Sequence, residues 1–187
     1  MLLLTLRGTP TMYYGDEIGM HDVPIAPDQA LDPLEKNVPG LGLGRDPART
    51  PMQWSAGQGA GFTRGKPWLP IAEDFRANNV ETLREKPASI LTLYRRLIEL
   101  RRAEPALSVG EFAPVPAGED LVAYMRKAGE RRLLIALNLG SRERRFNVAR
   151  LEAQASLLLS SHLDREREKL GSELRLRADE GVIVELR

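Results

Sequence analysis

The chain has 187 residues, 42% of them hydrophobic, and 27 Lys and Arg against 26 Asp and Glu leave a net charge of +1. Such a balance offers no electrostatic footprint for nucleic acid or an anionic membrane, and the absence of cysteine excludes a disulfide framework and any thiolate nucleophile or metal site. The length allows one or two domains but no complete eight-stranded α/β barrel, which needs ~250 residues.

Residues 2–6, LLLTL, are apolar at every position but one, the mark of a strand or helix end buried on both faces. The run is too short, and lacks the basic leader, for a signal peptide, and no apolar run approaches a membrane span. We therefore expect a soluble, cytoplasmic chain. Gly8 and Pro10 mark a turn, and Gly15 another. Asp16 and Glu17 are adjacent, and in an extended segment they point to opposite sides and cannot both flank one bond. They read as structural, with one of them buried and holding loop backbone.

Residues 21–43 are rich in proline, glycine and aspartate and lack periodicity, as expected of a long rim or lid loop. Gly40, Gly42 and Gly44 allow it to turn sharply. His21 and His162 are far apart and lack metal-ligand spacing, and His21 reads as a surface residue.

The segment RDPARTPMQW, residues 45–54, is the most informative in the chain. Arg45 and Arg49 lie four apart, but Pro47 between them and Pro51 after them favour an extended loop over a helix. A rigid loop holds two guanidinium groups in fixed directions, which suits carboxylates or sugar hydroxyls. The plainer alternative pairs both arginines with Asp46, Asp32 or Glu35 and merely pins the loop. Gln53 and Trp54 are candidate pocket-wall residues, Trp54 equally a packing anchor. In the glycine-rich loop 57–70, Phe62 and Trp68 read as anchors.

Residues 87–102 carry apolar side chains at helical spacing, with Pro87 in the first turn and Pro105 ending the helix. Beyond Pro105, short strands are expected at 121–125, 132–139, 144–148, 157–160, 173–176 and 182–186, separated by turn residues, which suggests an antiparallel β-sandwich of ~80 residues able to bury its own core. The basic stretches 126–132 and 142–150 are interrupted by acids and read as solvated surface.

The motifs GTPTMYYGDEIGM at 8–20, EKNVPGLGLG at 35–44, RDPARTPMQW at 45–54, AGFTRGKPW at 60–68 and LYRRLIELRR at 93–102 resemble, in this order and at these separations, α-glucosidases of glycoside hydrolase family 13, the α-amylase superfamily. The resemblance covers nearly the whole chain. It implies the last strand and helix segment of an incomplete (β/α)8 barrel, α/β in class, followed by an all-β C-terminal sandwich. Residues 1–104 would end the catalytic barrel with long active-site loops, and 105–187 would form the sandwich. It places the helix before the last barrel strand at 2–6 and that strand at 11–14.

The implied activity is exo-acting, retaining hydrolysis of α-linked gluco-oligosaccharides, in carbohydrate metabolism, without cofactor or metal. The family's nucleophile, acid/base and stabilising carboxylate lie upstream of the Gly8-Thr9-Pro10 segment. No catalytic residue is therefore expected among these 187, and the chain alone is expected to be inactive, its partner being the N-terminal barrel segment. Arg45 and Arg49 are the expected substrate-binding residues, Arg45 closing the pocket around a non-reducing-end glucose. Leu83 stands where family members commonly carry glutamine. Two other readings are part of a trehalose synthase or transglycosylase, and a non-catalytic carbohydrate-binding or structural module.

Overall fold

Where residues 121–186 alternate or run continuously apolar, the chain forms strands. The computed structural model describes residues 1–149, 151 and 154–187, so Arg150, read above as solvated, lies outside the described residues. Strands β2 (Leu121–Ala128), β3 (Arg131–Asn138), β4 (Arg144–Asn147), β5 (Ala155–Ser160), β7 (Glu173–Leu176) and β8 (Gly181–Leu186) occupy the expected positions. Two strands were not anticipated, β1 (Glu111–Val115) and β6 (Lys169–Leu170). Pro114 masks β1 in the sequence, since proline cannot donate to a ladder, and β1 duly lies at the sheet edge.

Six strands pair antiparallel in the order β1-β2-β3-β8-β5-β6, while β4 and β7 pair with each other as a two-stranded ribbon. Phe146, Leu174 and Leu176 of that ribbon share one core with Leu134, Ala136, Leu157, Val182 and Val184 of the larger sheet. β8 is buried at all six positions, and its one charged residue, Glu185, pairs with Arg131 and Arg187. Leu133 and Ile135 are buried although their neighbours Leu134 and Ala136 already face the ribbon, so β3 is covered on both faces. Each leucine removed from water here contributes ~1.5–3 kcal/mol.

The chain divides into two compact units, one formed by Met1–Thr11 with Leu93–Arg187 and the other by Met12–Thr92. In the first, α1 (Leu2–Thr5) is a single turn. Only Leu4 and Thr5 of residues 2–6 are buried, whereas Leu2, Leu3 and Leu6 are exposed, so burial on both faces does not hold. α4 (Ile90–Ala103) starts at Ser89, whose Oγ accepts the Thr92 N–H at 3.1 Å; Pro87 lies in the turn before it, not in its first turn. Pro105 opens α5 (Pro105–Ser108) as its first residue. Arg126, placed above in a solvated stretch, is fully buried, because backbone carbonyls distant in sequence surround it.

The second unit is mostly turns, with two short helices, α2 (Pro33–Asn37) and α3 (Val80–Arg84). Its small core is Ile18, Met52, Val80 and Leu83, so the leucine in the family's glutamine position serves packing. Residues 11–14 form no strand, since a ladder needs a hydrogen-bonding neighbour and none is present among the described residues. Among the described residues no helix is long and apolar enough to cross a membrane.

Candidate functional site

The loop carrying both candidate arginines is not extended throughout. Pro47 sits in the first turn of a 3-10 turn, Asp46–Arg49, so Arg45 and Arg49 flank one turn of backbone. Asp46 is buried and accepts the N–H groups of Leu31 at 2.6 Å and Asp32 at 2.8 Å, tying this turn to the preceding loop. Asp32 then caps α2 by accepting the Leu34 N–H at 3.0 Å.

Arg45 grips Asp32 with both arms of its fork, Nε to Oδ2 at 2.6 Å and Nη2 to Oδ1 at 3.0 Å, and its own N–H reaches Oδ2 at 2.8 Å. These bonds hold the Asp32 carboxyl well below the usual carboxylate range, the Arg45 side chain foremost and then the Leu34 N–H. The Arg45 side chain nevertheless remains 54% exposed. Arg49 stands farther off, its Nη1 3.9 Å from Asp32 Oδ2. Local pairing therefore exists, as the plainer alternative expected, and it engages Arg45 far more than Arg49.

Arg49 instead lines a concavity of about 500 Å³ with Tyr13, Tyr14, Glu17, Trp54, Phe62 and Trp68. Phe62 and Trp68 are about half exposed, not buried anchors, and Trp54 likewise presents its ring to solvent. The backbone explains how Trp54 stays exposed. Its N–H donates to the Ala60 carbonyl at 2.8 Å and its carbonyl accepts the Glu81 N–H at 3.0 Å, so the main chain is held on both sides while the ring is free. The return at Gly61 runs at φ 68°, and a Cβ there would meet Ser55 Oγ at 2.7 Å. Tyr13 and Tyr14 stand with ring centroids 4.9 Å apart, and the Tyr14 hydroxyl donates to the Thr50 carbonyl at 3.0 Å. Burial pushes the Tyr14 phenol up, Tyr13 adds to this, and Arg49 opposes it.

Gln53 is not on the wall. It is fully buried, with Nε2 donating to Asp74 Oδ1 and to the Asn78 carbonyl, each at 2.9 Å. Asp16 and Glu17 lie on a 3-10 turn, where successive side chains diverge without being opposite. Asp16 accepts the Tyr13 N–H at 3.0 Å and Glu17 the Gly15 N–H at 2.9 Å, the expected loop-bracing role, although neither is buried. His21 is exposed beside a smaller hollow it shares with Tyr13 and Tyr14.

In the other unit, ligand atoms of His162, Asp164 and Glu180 lie within 4.8 Å of one another. Arg177 already grips both carboxylates, at 2.6 Å to Asp164 and 2.7 Å to Glu180, so a dication would have to displace a guanidinium.

Residues 1–110 match the family described as alpha amylase, catalytic domain. The chain belongs to the α-amylase family. The resemblance read from its motifs to glycoside hydrolase family 13 therefore holds. Among family relatives, it is 36% identical to a glucan 1,6-alpha-glucosidase of Streptococcus pneumoniae serotype 4 over 79% of this chain and 31% of that protein. Maltase A1 of Drosophila melanogaster is 36% identical over 86% of this chain and 29% of its own length. Among solved structures, trehalulose synthase MutB from Pseudomonas mesoacidophila MX-45 superposes with a TM-score of 0.86 at 28% identity, covering 100% of this chain and 37% of that one. The chain thus spans about a third of the length of these family members.

The aromatic wall was only partly legible beforehand. The sequence points to Trp54 as a wall residue and to Phe62 and Trp68 as anchors, and gives Tyr13 and Tyr14 no such role. A usable signal exists, since five of the ten aromatic residues, both tryptophans among them, fall within 13–68, a stretch rich in glycine and proline.

Proposed function

We propose that this chain supplies one wall of the sugar pocket of an exo-acting, retaining α-glucosidase that hydrolyses α-linked gluco-oligosaccharides. The observation that carries the reading is the concavity itself: five exposed aromatic rings and Arg49 converge on it inside the segment matching the catalytic-domain family. Flat aromatic faces suit the C–H faces of a pyranose, and a guanidinium beside them suits its hydroxyls. Arg49 is the direct sugar contact. Arg45 is oriented by Asp32 and contributes through its exposed portion.

Glu17, the acid on this wall, is engaged by loop backbone, and a retaining mechanism requires two carboxyl groups ~5 Å apart across the scissile bond. We therefore assign the bond-breaking acids, and the remainder of the barrel, to polypeptide beyond these 187 residues, either in one longer protein or in a partner chain. Relatives about three times as long support this. In the same reading, 1–104 belongs to the catalytic barrel and 105–187 to a C-terminal domain whose six-stranded sheet and two-stranded ribbon are the layers of a small β-sandwich.

Both tryptophans lie on the wall, so maltose and isomaltose titrated into the chain should change tryptophan fluorescence saturably. Arg49→Ala should weaken that response at least ~10-fold, the cost of a charge-assisted hydrogen bond. An unchanged spectrum with both sugars would overturn the reading of the wall, and glucose release from p-nitrophenyl α-glucoside by the pure chain would overturn the assignment of the acids. Transglycosylation is the second reading, favoured by the likeness to trehalulose synthase; product analysis of the catalytically complete enzyme separates it from hydrolysis.

A further inference from the structure

Arg126 on β2 is fully buried, yet among the described residues its guanidinium bonds no carboxylate. Its partners are three backbone carbonyls from two separate parts of the chain: Thr5 at 2.6 Å, and the consecutive Gly110 at 3.2 Å and Glu111 at 3.3 Å. A second arginine reads the same segment from another element. Arg101 on α4 donates through Nη1 to Leu4 at 2.9 Å and Leu6 at 3.3 Å, and through Nη2 to Gly8 at 2.7 Å. Between them the two arginines accept responsibility for the carbonyls of residues 4, 5, 6 and 8, and the Tyr124 hydroxyl meets Thr5 Oγ1 at 2.5 Å.

The last carbonyls of α1 have no intrahelical donors. The sheet, for its part, holds a buried cation that requires acceptors. Each side supplies what the other lacks. We propose that the surface formed by Arg126 on β2 and Arg101 on α4 is a docking site for the backbone of residues 1–8, and that the C-terminal sheet reaches full stability only with that segment seated. The two arginines read carbonyls, so apart from Thr5, whose side chain meets Tyr124, the segment tolerates sequence change but not loss of its backbone path. Burial pulls the Arg126 guanidinium down from its ordinary value, and neighbouring Arg101 adds to this, in keeping with a cation compensated by dipoles alone.

The test is a coupling cycle in the full chain, read by amide hydrogen exchange. Arg101→Met and Arg126→Met should each speed exchange of residues 2–8 at least ~10-fold, while β8 changes less than ~3-fold. Leu3→Gly with Leu6→Gly, two exposed positions whose replacement loosens the segment while keeping the Thr5–Tyr124 bond, should speed exchange in β2 and β3 at least ~10-fold when Arg126 is present. The same pair in an Arg126→Met background should leave β2 and β3 within ~3-fold of that background, because no buried cation is then stranded. Wild-type protection of residues 2–8 in both arginine variants, or equal effects of the glycine pair with and without Arg126, would overturn the proposal. Should Arg126→Met fail to fold, Arg101→Met and the glycine pair in the wild-type background decide alone, protection of residues 2–8 or of β2 and β3 at wild-type level refuting it.

Discussion

Glu180→Gln tests how much the arginine network of the first unit contributes, and its effect depends on pH. The side chain of Glu180 is inaccessible to water, with Oε1 accepting the Ser160 hydroxyl at 2.7 Å and Arg177 Nη2 at 2.7 Å, and Oε2 accepting the Arg177 N–H at 2.8 Å. Burial alone would raise its pKa, but the Arg177 side chain, then Ser160, the Arg177 backbone and Arg165 outweigh it and bring the carboxyl from 4.5 down to about 2. At ~1.4 kcal/mol per tenfold change in proton affinity this corresponds to roughly 3 kcal/mol. Arg177 is 39% exposed, so solvent screening lowers the figure to about 2 kcal/mol.

A group whose pKa is depressed by folding contributes fully above its unfolded value and loses the contribution as pH falls through the folded one. Glu180→Gln should therefore melt about 4–8 °C below the wild type at pH 7, at ~2–4 °C per kcal/mol for a chain of this size. Between pH 4.5 and about 2 that gap should shrink by more than half, leaving a small remainder from an amide NH2 turned toward the Arg177 donors. Thermal melts followed by circular dichroism at both pH values measure it. An equal gap at pH 7 and pH 2 would show that the carboxylate charge is not what the network stabilises.

Two further perturbations separate backbone from charge. At Gly110 a Cβ would collide with the Ala106 carbonyl and lie 2.6 Å from the Lys127 carbonyl, so Gly110→Ala should cost about 1–3 kcal/mol in chemical denaturation; a neutral result would place the α5–β1 turn farther from β2 than the structure does. Asp32→Asn should speed hydrogen exchange across residues 31–49 at pH 7, with wild type and variant converging as pH falls below ~3.9 toward the depressed value of the native carboxyl. Unaltered exchange in that loop would mean that the proline-braced backbone, and not the Arg45 pair, maintains it.

Much of the sheet was legible because strand periodicity is local. The apolar run in 132–139 and the turn at Gly140 need no distant information, and β3 with its reversal follows. Asn138 completes that reversal by donating to the Arg142 and Arg177 carbonyls, each at 2.7 Å. The family was legible for the same reason, because its motifs are contiguous strings of residues. Arg45 and Arg49 could be singled out by spacing, and Asp32 could be suggested as a partner, but only the fold chose Asp32 over Asp46 and Glu35. Asp46 was already committed to the N–H groups of Leu31 and Asp32, and Glu35 accepts the Gly40 N–H at 3.1 Å.

By itself, the order of residues determined the positions of β2, β3, β4, β5, β7 and β8, the body of α4 and the family, because each is written in neighbours a few positions apart. Only the tertiary structure decided that Arg126 is buried, that Gln53 is interior while Trp54 is exposed, and that rings from residues 13, 14, 54, 62 and 68 share one concavity. Those outcomes depend on which segments meet after the chain turns back on itself, and a carbonyl that receives a guanidinium from 121 residues away leaves no mark on the local sequence.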